Sequence, residues 1–270
     1  MTNLLHVGLD VGSTTVKVVV ANHNLDLIYT DYKRHFSDTK NTVCELLLSL
    51  TRQFPNHTFT LALTGSGAMS ASEFLGVSFI QEVISCKRAV EKYIPQTDVV
   101  IELGGEDAKI IYFDNFIEQR MNGTCAGGTG AFLDQMANLL NTDVHGLDQL
   151  SNTYNTIYPI ASRCGVFAKT DIQPLLNEGA AKEDIAVSIF QAVVNQTISG
   201  LACGRPIKGK VAFLGGPLNY LPNLRKRFIK TLNLKEDEII VPEDAHLMVA
   251  KGAALDSIRN CLFFYRELNK

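Results

Sequence analysis

The segment LLHVGLDVGSTTVKVVV, residues 4–20, gives the first indication of the fold of this chain. Apolar, β-rich runs flank a short polar turn, so the segment predicts a strand, a tight turn and a second strand. Asp10 ends the first strand, where a carboxylate can hold hydrated Mg²⁺, and Lys17 can face phosphate. An ordinary hairpin is the alternative interpretation. The turn offers backbone amides and hydroxyls to an anion, and its candidate ligands are Gly12, Ser13, Thr14 and Thr15.

The same pattern occurs a second time at residues 99–113. Strands predicted at residues 99–101 and 108–113 flank an acidic, glycine-rich turn. Two copies predict an internally duplicated fold whose two phosphate loops face one another across a cleft. Glu102 and Asp107 join Asp10 as candidate catalytic carboxylates. The candidate nucleotide ligands of the second turn are Gly104, Gly105, Glu106 and Lys109.

A cysteine lies in the segment MNGTCAGGTGAFLD, residues 121–134, directly before a predicted helix. Glycines let the backbone approach an anion, and a helix start offers unpaired amides and the positive end of its dipole. Cys125 is therefore a candidate thiolate ligand of a metal cluster, and packing in the core is the alternative. The neighbours predicted to contact nucleotide phosphates are Gly127, Gly128 and Thr129.

Cys164 repeats this setting, because it stands where another helix is predicted to begin. The six cysteines are widely spaced and give no sign of a disulfide framework. The cysteines predicted to pack inside the protein are Cys44, Cys86 and Cys203.

A third glycine turn follows the strand predicted at residues 210–214. Its backbone can lie flat against a nucleoside, and a common strand-to-helix turn is the alternative. The candidate nucleotide contacts are Gly215, Gly216 and Asn219. Residues 64–67 form a further turn that either borders a nucleotide or simply reverses the chain. Gly252, in the predicted last helix, lets backbone or ligand come close.

The composition is that of a soluble globular protein, with 46% hydrophobic and 20% charged residues in a chain of 270. A net charge of −3 without a basic cluster gives no reason to expect nucleic acid. The chain has no signal-like N-terminus and no run of eighteen apolar residues, so we expect a cytoplasmic protein without a membrane partner. Two lobes are predicted, at residues 1–98 with 250–270 and at residues 99–249.

The two acidic-glycine turns, together with Gly215 and Gly216, resemble the two phosphate motifs and the adenosine motif of the actin, sugar-kinase and heat-shock-ATPase superfamily. The resemblance implies an α/β protein with a duplicated actin-like or sugar-kinase-like ATPase fold, built on the ribonuclease H-like motif. ATP or ADP with Mg²⁺ would bind in the cleft between the lobes.

Residues 121–134 and 162–171 resemble, more narrowly, the activators of 2-hydroxyacyl-CoA dehydratases and the related ATPase subunits of benzoyl-CoA reductase, the BadF/BadG/BcrA/BcrD-like proteins. The likeness extends over essentially the whole chain. It is strongest to the N-terminal module of large CoA-substrate-specific enzyme activases.

This narrower resemblance implies an ATPase whose hydrolysis drives electron transfer. One 4Fe-4S cluster would be shared across the two-fold axis of a homodimer, and the matching ligands are Cys125 and Cys164 of each subunit. An external low-potential donor would supply the electron. A partner iron-sulfur enzyme, an acyl-CoA dehydratase or reductase component, would receive it.

Three residues depart from the pattern of the dehydratase activators. Glu102 stands where Asp is usual and keeps a carboxylate on a longer arm. Glu106 stands where Gln is usual, and its added charge bears on the positioning of Mg²⁺ or water. Lys169 replaces an acid, which bears on the partner surface and leaves the cluster ligands intact.

Two other functions fit the same residues. One is an ATP-dependent small-molecule kinase of the same fold, in which Asp107 or Glu102 acts as base and both Cys125 and Cys164 pack inside. The other is a nucleotide-dependent binding module without redox chemistry.

Overall fold

The computed structural model of the protein describes residues 3–114, 116–122, 127–161 and 164–258. The chain divides into two compact units, Met1–Pro95 with Leu247–Lys270 and Gln96–His246. Cys125 lies outside the described residues, as do residues 259–270 at the end of the predicted first lobe. The predicted lobe limits, residues 1–98 with 250–270 and residues 99–249, stay a prediction.

The first unit is a five-stranded sheet with helices packed against it. Its strands are β1 (Leu4–Val11), β2 (Thr15–Ala21), β3 (Leu27–Arg34), β4 (Thr58–Thr64) and β5 (Ser78–Phe79). Its helices are α1 (Thr39–Gln53), α2 (Ala68–Leu75), α3 (Glu82–Tyr93) and the last helix of the chain, α10 (Met248–Ser257).

The second unit contains another five-stranded sheet and the remaining helices. Its strands are β6 (Val99–Leu103), β7 (Ala108–Phe113), β8 (Ile117–Met121), β9 (Val211–Leu214) and β10 (Ile239–Ile240). Its helices are α4 (Gly130–Leu139), α5 (Val144–Leu150), α6 (Gly165–Asn177), α7 (Lys182–Asn195), a π-helix (Gln196–Ala202), α8 (Gly216–Tyr220) and α9 (Pro222–Leu232). Two 3₁₀ turns, Glu236–Glu238 and Ala245–Leu247, follow.

The two sheets have the same topology. Their strand orders are β3-β2-β1-β4-β5 and, read in the same direction, β8-β7-β6-β9-β10. In each sheet the first strand pairs antiparallel with the second and parallel with the fourth. The internal duplication predicted from the two acidic-glycine turns is therefore confirmed.

Helix α1 shows how local sequence sets an element of the first unit. Asp38 caps the helix by accepting a hydrogen bond from the Asn41 amide, as its position before the apolar pattern predicts. The predicted apolar face is buried against the sheet, as the 3.6-residue period requires, and consists of Val43, Leu46, Leu47 and Leu50.

The cysteines predicted to pack inside divide into two groups. Cys86 is buried in α3, as predicted. Cys44 and Cys203 are exposed, so their predictions were wrong. Cys44 lies beside the buried stripe of α1 on the solvent side, and Cys203 follows the π-helix in a left-handed conformation with φ of 45°.

The core of the second unit lies around α7, which is buried over most of its length. The side chains of Phe190, Phe213 and Phe228 are fully buried there, and the rings of Phe213 and Phe228 pack 6.0 Å apart. Lys182–Ala202 is long and apolar enough to cross a membrane by length and composition, yet 67% of its most apolar window is buried inside the protein. These observations make it the central core helix of the unit.

His6 of β1 is 5% exposed and lies within hydrogen-bonding distance of Thr60, which in turn contacts Ser257 of α10. The Ser257 hydroxyl donates to the Ala254 carbonyl, so Thr60 donates to Ser257 and His6 donates its Nδ1 hydrogen to Thr60. This chain of donors fits a neutral imidazole. Burial, and secondarily the charge of His23, lowers the pKa of His6 below its ordinary value of 6.5.

This lowered pKa predicts a loss of stability in weak acid. The unfolded chain takes up a proton on His6 as the pH falls through about 6.5, whereas the folded protein does so only at lower pH. The contribution of His6 to the free energy of unfolding is therefore complete above about pH 6.5. Below it, we expect the free energy of unfolding to fall by up to about 1.4 kcal/mol per pH unit from this group. Urea unfolding of the wild type and of His6→Gln between pH 7 and pH 5 measures the difference. The exposed His145→Gln variant is the control and should keep the slope of the wild type.

Candidate functional site

Loop 1, residues 10–15, joins β1 to β2 in the first unit. The Gly12 amide donates to the Thr15 carbonyl at 2.9 Å and closes a tight turn. Asp10 is the cross-strand partner of Lys17, and Lys17 Nζ lies 2.7 Å from Asp10 Oδ2. Asp10 is 4% exposed, while residues 12–14 are partly exposed. Loop 1 therefore combines a buried, charge-paired carboxylate with accessible backbone, which suits a phosphate and its cation.

Loop 2, residues 102–107, joins β6 to β7 in the second unit and has the same backbone bond. The Gly104 amide donates to the Asp107 carbonyl at 2.8 Å. Glu102 is the cross-strand partner of Lys109, as Asp10 is of Lys17. Here, however, Lys109 Nζ also lies 2.6 Å from Asp107 Oδ2, inside the loop. A Cβ at position 104 would overlap with Asp107 Oδ1, so the carboxylate takes this position because residue 104 has no side chain.

A glycine follows the fourth strand of each sheet and contacts the corresponding loop. Gly65 follows β4 and Gly215 follows β9, with φ of 102° and 88°. A Cβ at Gly65 would overlap with the carbonyl oxygen of Val11, and one at Gly215 with the carbonyl oxygen of Leu103. The two glycines are therefore structural counterparts. The sequence predicts Gly215 as a nucleotide contact, whereas for residues 64–67 it allows either a nucleotide border or a simple turn.

His35 is a further residue at loop 1 that sequence reasoning missed. Its ring Nε2 lies 3.2 Å from the Gly12 carbonyl, and its amide donates to the Thr14 carbonyl at 3.2 Å. A histidine directly after the third strand gives no motif by itself. Its role depends on the pairing of β2 with β3, which places it against loop 1.

The start of α4 is attached to loop 2. The amides of Gly130 and Ala131, the first residues of α4, donate to the carbonyls of Gly104 and Gly105 at 3.0 and 2.8 Å. The prediction that this helix start offers unpaired amides was therefore wrong for these two groups. The glycine segment, residues 127–129, directly precedes them, is buried and belongs to the second unit. Its predicted contact with phosphate stays a prediction.

Asn122, at the end of β8, is another loop 2 contact that the sequence did not reveal. Its Oδ1 accepts a hydrogen bond from the Ala108 amide at 2.7 Å, and its Nδ2 donates to the Glu106 carbonyl at 3.5 Å. The side chain is buried. It therefore fixes loop 2 from the side of β8, where an asparagine before glycine would be interpreted as an ordinary turn residue.

Gly215, Gly216 and Asn219 lie at the start of α8, next to the end of β6. The Asn219 amide donates to the Gly215 carbonyl at 3.0 Å. Arg225 of α9 donates to the carbonyls of Leu218 and Asn219. Burial lowers the pKa of Arg225. This short helix is therefore anchored at both ends, with Asn219 still partly exposed for a ligand.

Cys164 is the N-cap residue of α6, as predicted, and α6 has 13 residues. Its thiol is partly exposed and makes no capping hydrogen bond. Val166 and Phe167, in the first turn of α6, are mostly exposed. A partly exposed thiol at a helix N-terminus is accessible to a metal ion, which cysteine binds as the thiolate.

The structure thus brings the candidate residues of each unit together in one place. Loop 1 gathers Asp10, Gly12, Ser13, Thr14, Thr15 and Lys17. Loop 2 gathers Glu102, Gly104, Gly105, Glu106, Asp107 and Lys109, with residues 127–129 and Gly215 beside it. Within the described part of the chain, no group of three or more His, Cys, Asp and Glu side chains is arranged to hold a metal ion. One predicted cluster ligand, Cys125, is outside that part.

Sequence comparison identifies relatives over nearly the whole chain. The BadF/BadG/BcrA/BcrD ATPase family model matches residues 7–257. The 2-hydroxyisocaproyl-CoA dehydratase activator of Clostridioides difficile is 32% identical over 253 residues, which is 92% of each chain. The (R)-2-hydroxyglutaryl-CoA dehydratase activating ATPase of Acidaminococcus fermentans is 32% identical over 215 residues, 77% of this chain and 81% of the relative.

Comparison with solved structures also identifies a dehydratase activator as similar. The Clostridium difficile activator, solved with bound ADPNP, superimposes with a TM-score of 0.82 at 30% identity and covers 94% of both chains. A ROK family glucokinase from Streptomyces griseus shares the fold alone, with a TM-score of 0.52 at 12% identity over 95% of this chain and 100% of the kinase. The predicted actin-like and sugar-kinase-like α/β fold is confirmed, and this chain belongs to the BadF/BadG/BcrA/BcrD ATPase family.

Proposed function

We propose that this chain is an ATP-dependent reductive activator, which uses a 4Fe-4S cluster shared by a homodimer to deliver low-potential electrons to an iron-sulfur acyl-CoA dehydratase or reductase component. The observation that carries the proposal is the partly exposed thiol of Cys164 at the start of α6, in a chain whose relatives include two dehydratase activators. An external low-potential donor would supply the electrons.

The nucleotide part of the proposal rests on loops 1 and 2 and on the start of α8. The relative that was solved with ADPNP supports ATP or ADP as the ligand. Asp10 is the candidate ligand of hydrated Mg²⁺, and Glu102 and Asp107 are the candidate carboxylates that orient the attacking water. Lys17 and Lys109 would balance the charge of the phosphates. Lys17 lies 2.7 Å from Asp10, and Lys109 lies 2.6 Å from Asp107.

The cluster part of the proposal rests on Cys125 and Cys164. A 4Fe-4S cluster takes four thiolates, so two cysteines from each subunit of a symmetric dimer complete the set. Such a cluster supplies one-electron redox chemistry at a potential set by its surroundings. The α6 dipole would stabilise the negative charge of the Cys164 thiolate, and the exposed Val166 and Phe167 fit a surface that another protein covers.

The proposed link between the two parts is the glycine segment, residues 127–129. It begins two positions after Cys125 and ends where the amides of Gly130 and Ala131 bond loop 2. A ligand shifts a conformational equilibrium only by its differential affinity for the states. A nucleotide that contacts loop 2 differently as ATP and as ADP would therefore bias the position of the segment that carries Cys125.

Anaerobic purification, cluster reconstitution, iron analysis and EPR of the dithionite-reduced protein test this function. We expect about four iron atoms per homodimer, and an EPR signal of a reduced cluster that changes when ADP or ATP is added. A colourless protein without iron after reconstitution would contradict the proposal.

Asp10→Asn is expected to lower kcat for ATP hydrolysis by about 10²-fold or more, because the metal contributes several kcal/mol of charge stabilisation in the transition state. The iron content should stay that of the wild type, since Asp10 lies in the first unit and both cysteines in the second. The matched control is Glu45→Gln, which removes one exposed carboxylate of α1 in the same unit. An Asp10→Asn protein that is folded and hydrolyses ATP at the wild-type rate would exclude Asp10 from the active site.

A further inference from the structure

The π-helix at Gln196–Ala202 directly follows α7 and forms the C-terminal end of the core helix of the second unit. One wider turn inserted into an α-helix is less favourable than regular helix, and such turns occur frequently at functional sites. Its described contacts include the Cys203 thiol, which lies 3.2 Å from the Gly200 carbonyl oxygen. Its contacts therefore indicate what it does.

Gln196, the first residue of the π-helix, lies against the glycine segment. Gly128 has a left-handed backbone with φ of 83°, and a Cβ built there would be 3.2 Å from Gln196 Cγ and 3.4 Å from Gln196 Cβ. This spacing is tighter than ordinary contact. The absence of a side chain at Gly128 thus makes room for the aliphatic stem of Gln196.

The amide end of the same side chain lies along its own wide turn. A Cβ built at Gly200 would be 2.9 Å from Gln196 Nε2. The side chain is therefore enclosed by two glycines, Gly128 on the loop 2 side and Gly200 within the π-helix. A regular α-helical continuation would change the position of residue 200 relative to Gln196, because the turn would be one residue shorter.

The other end of the π-helix contacts β8. Arg120 donates to the carbonyls of Leu201, at 3.4 Å, and Ala202. Arg120 stands just before the segment that contains Cys125, and Gly128 just after it. The π-helix therefore contacts the chain on both sides of that segment.

We propose that Gln196 is a positioning residue, which acts through Gly128 to hold the glycine segment and the start of α4 against loop 2. This inference rests on the proposed nucleotide site at loop 2. Gln196 itself contacts Gly128 and is separated from loop 2 by the segment it positions.

ATP hydrolysis by Gln196→Ala, Gln196→Met and Ser199→Ala tests the inference. Loss of the stem in Gln196→Ala should lower kcat/KM for ATP about tenfold or more, since small displacements of a positioned group are costly to catalysis. Gln196→Met keeps the length of the stem and should stay within about twofold of the wild type. Ser199→Ala, an exposed position in the same π-helix, is the control and should behave as wild type.

A double-mutant cycle with Gly128→Ala separates positioning from general destabilisation. The added Cβ presses on the stem of Gln196 only when that stem is present, so Gly128→Ala should cost less kcat/KM in the Gln196→Ala background than in the wild type. Additive losses, or a Gln196→Ala protein with wild-type kcat/KM, would overturn this inference and leave the proposed function unaffected. A wild-type protein that neither binds nor hydrolyses ATP would overturn the proposed function.

Discussion

Cys164→Ser is expected to leave the protein without an iron-sulfur cluster. In a symmetric dimer one substitution removes two of the four thiolates, and the remaining pair cannot hold four irons. We expect the iron content after anaerobic reconstitution to fall close to zero and the EPR signal of the reduced protein to disappear. ADP binding should persist, because the described contacts of loop 2 do not include Cys164.

Two other cysteines provide matched controls for this experiment. Cys44 and Cys203 are both exposed, one in each unit, so their serine variants remove a solvent-accessible thiol without touching the proposed ligands. Both variants should retain the iron content and EPR signal of the wild type. If Cys164→Ser keeps its full iron content, or if Cys203→Ser loses it, the ligand assignment is wrong.

Gly8→Ala is expected to cause a large loss of stability through a single added methyl group. Gly8 lies in the middle of β1 where α10 crosses it, and a Cβ there would overlap with the carbonyl oxygen of Ala250 and the amide nitrogen of Ala254. Both are backbone atoms of α10, so no side-chain rotation relieves the overlap. We expect a loss of about 3 kcal/mol or more, seen as a Tm lowered by roughly 6–12 °C.

Gly165→Ala is the control for this prediction. Among the residues that the structure describes, a Cβ at Gly165, the first residue of α6, would have no neighbour closer than 3.6 Å, which is ordinary contact. Its Tm should match that of the wild type or rise slightly, because alanine is the better helix former. A Gly8→Ala protein that unfolds at the wild-type temperature would show that α10 does not pack on β1 at this distance.

The duplication also shows how two equivalent loops come to differ. In loop 1 the strand-end carboxylate, Asp10, pairs with the lysine opposite, whereas in loop 2 the lysine is 2.6 Å from Asp107. Position 107 corresponds to Thr15 of loop 1, since both accept the hydrogen bond of the turn glycine. A hydroxyl at one position and a carboxylate at the other give the two loops different charge.

Lys169 and Glu106, two departures from the pattern of the dehydratase activators, are both exposed. Lys169 lies on α6, one turn after Cys164, near the exposed Val166 and Phe167. Its charge therefore falls on the surface next to the proposed cluster. The partner that this surface fits would differ in charge from the partner of an activator with an acid there.

Local sequence is sufficient to predict the repeated strand, turn and strand, the cap and buried face of α1, the helix start at Cys164 and the family. These features depend on neighbours within a few residues, where hydrophobic period, capping and turn chemistry act. The resemblance to the superfamily depends on such local motifs at residues 10–14, 102–107 and 215–216, and the resemblance to the family on those at residues 121–134 and 162–171.

Contacts between residues far apart in the chain became visible only in the tertiary structure. Gly65 and Gly215 are counterparts because β1 pairs parallel with β4 and β6 pairs parallel with β9. Local sequence does not encode these strand pairings. Asn122 and Gln196 reach loop 2 and Gly128 through contacts between elements far apart in the chain. Its position beside an apolar stripe predicts that Cys44 is buried, yet Cys44 is exposed. The burial of a helix residue depends on the face that the neighbouring layer covers, and that face is set by how α1 is rotated on its sheet.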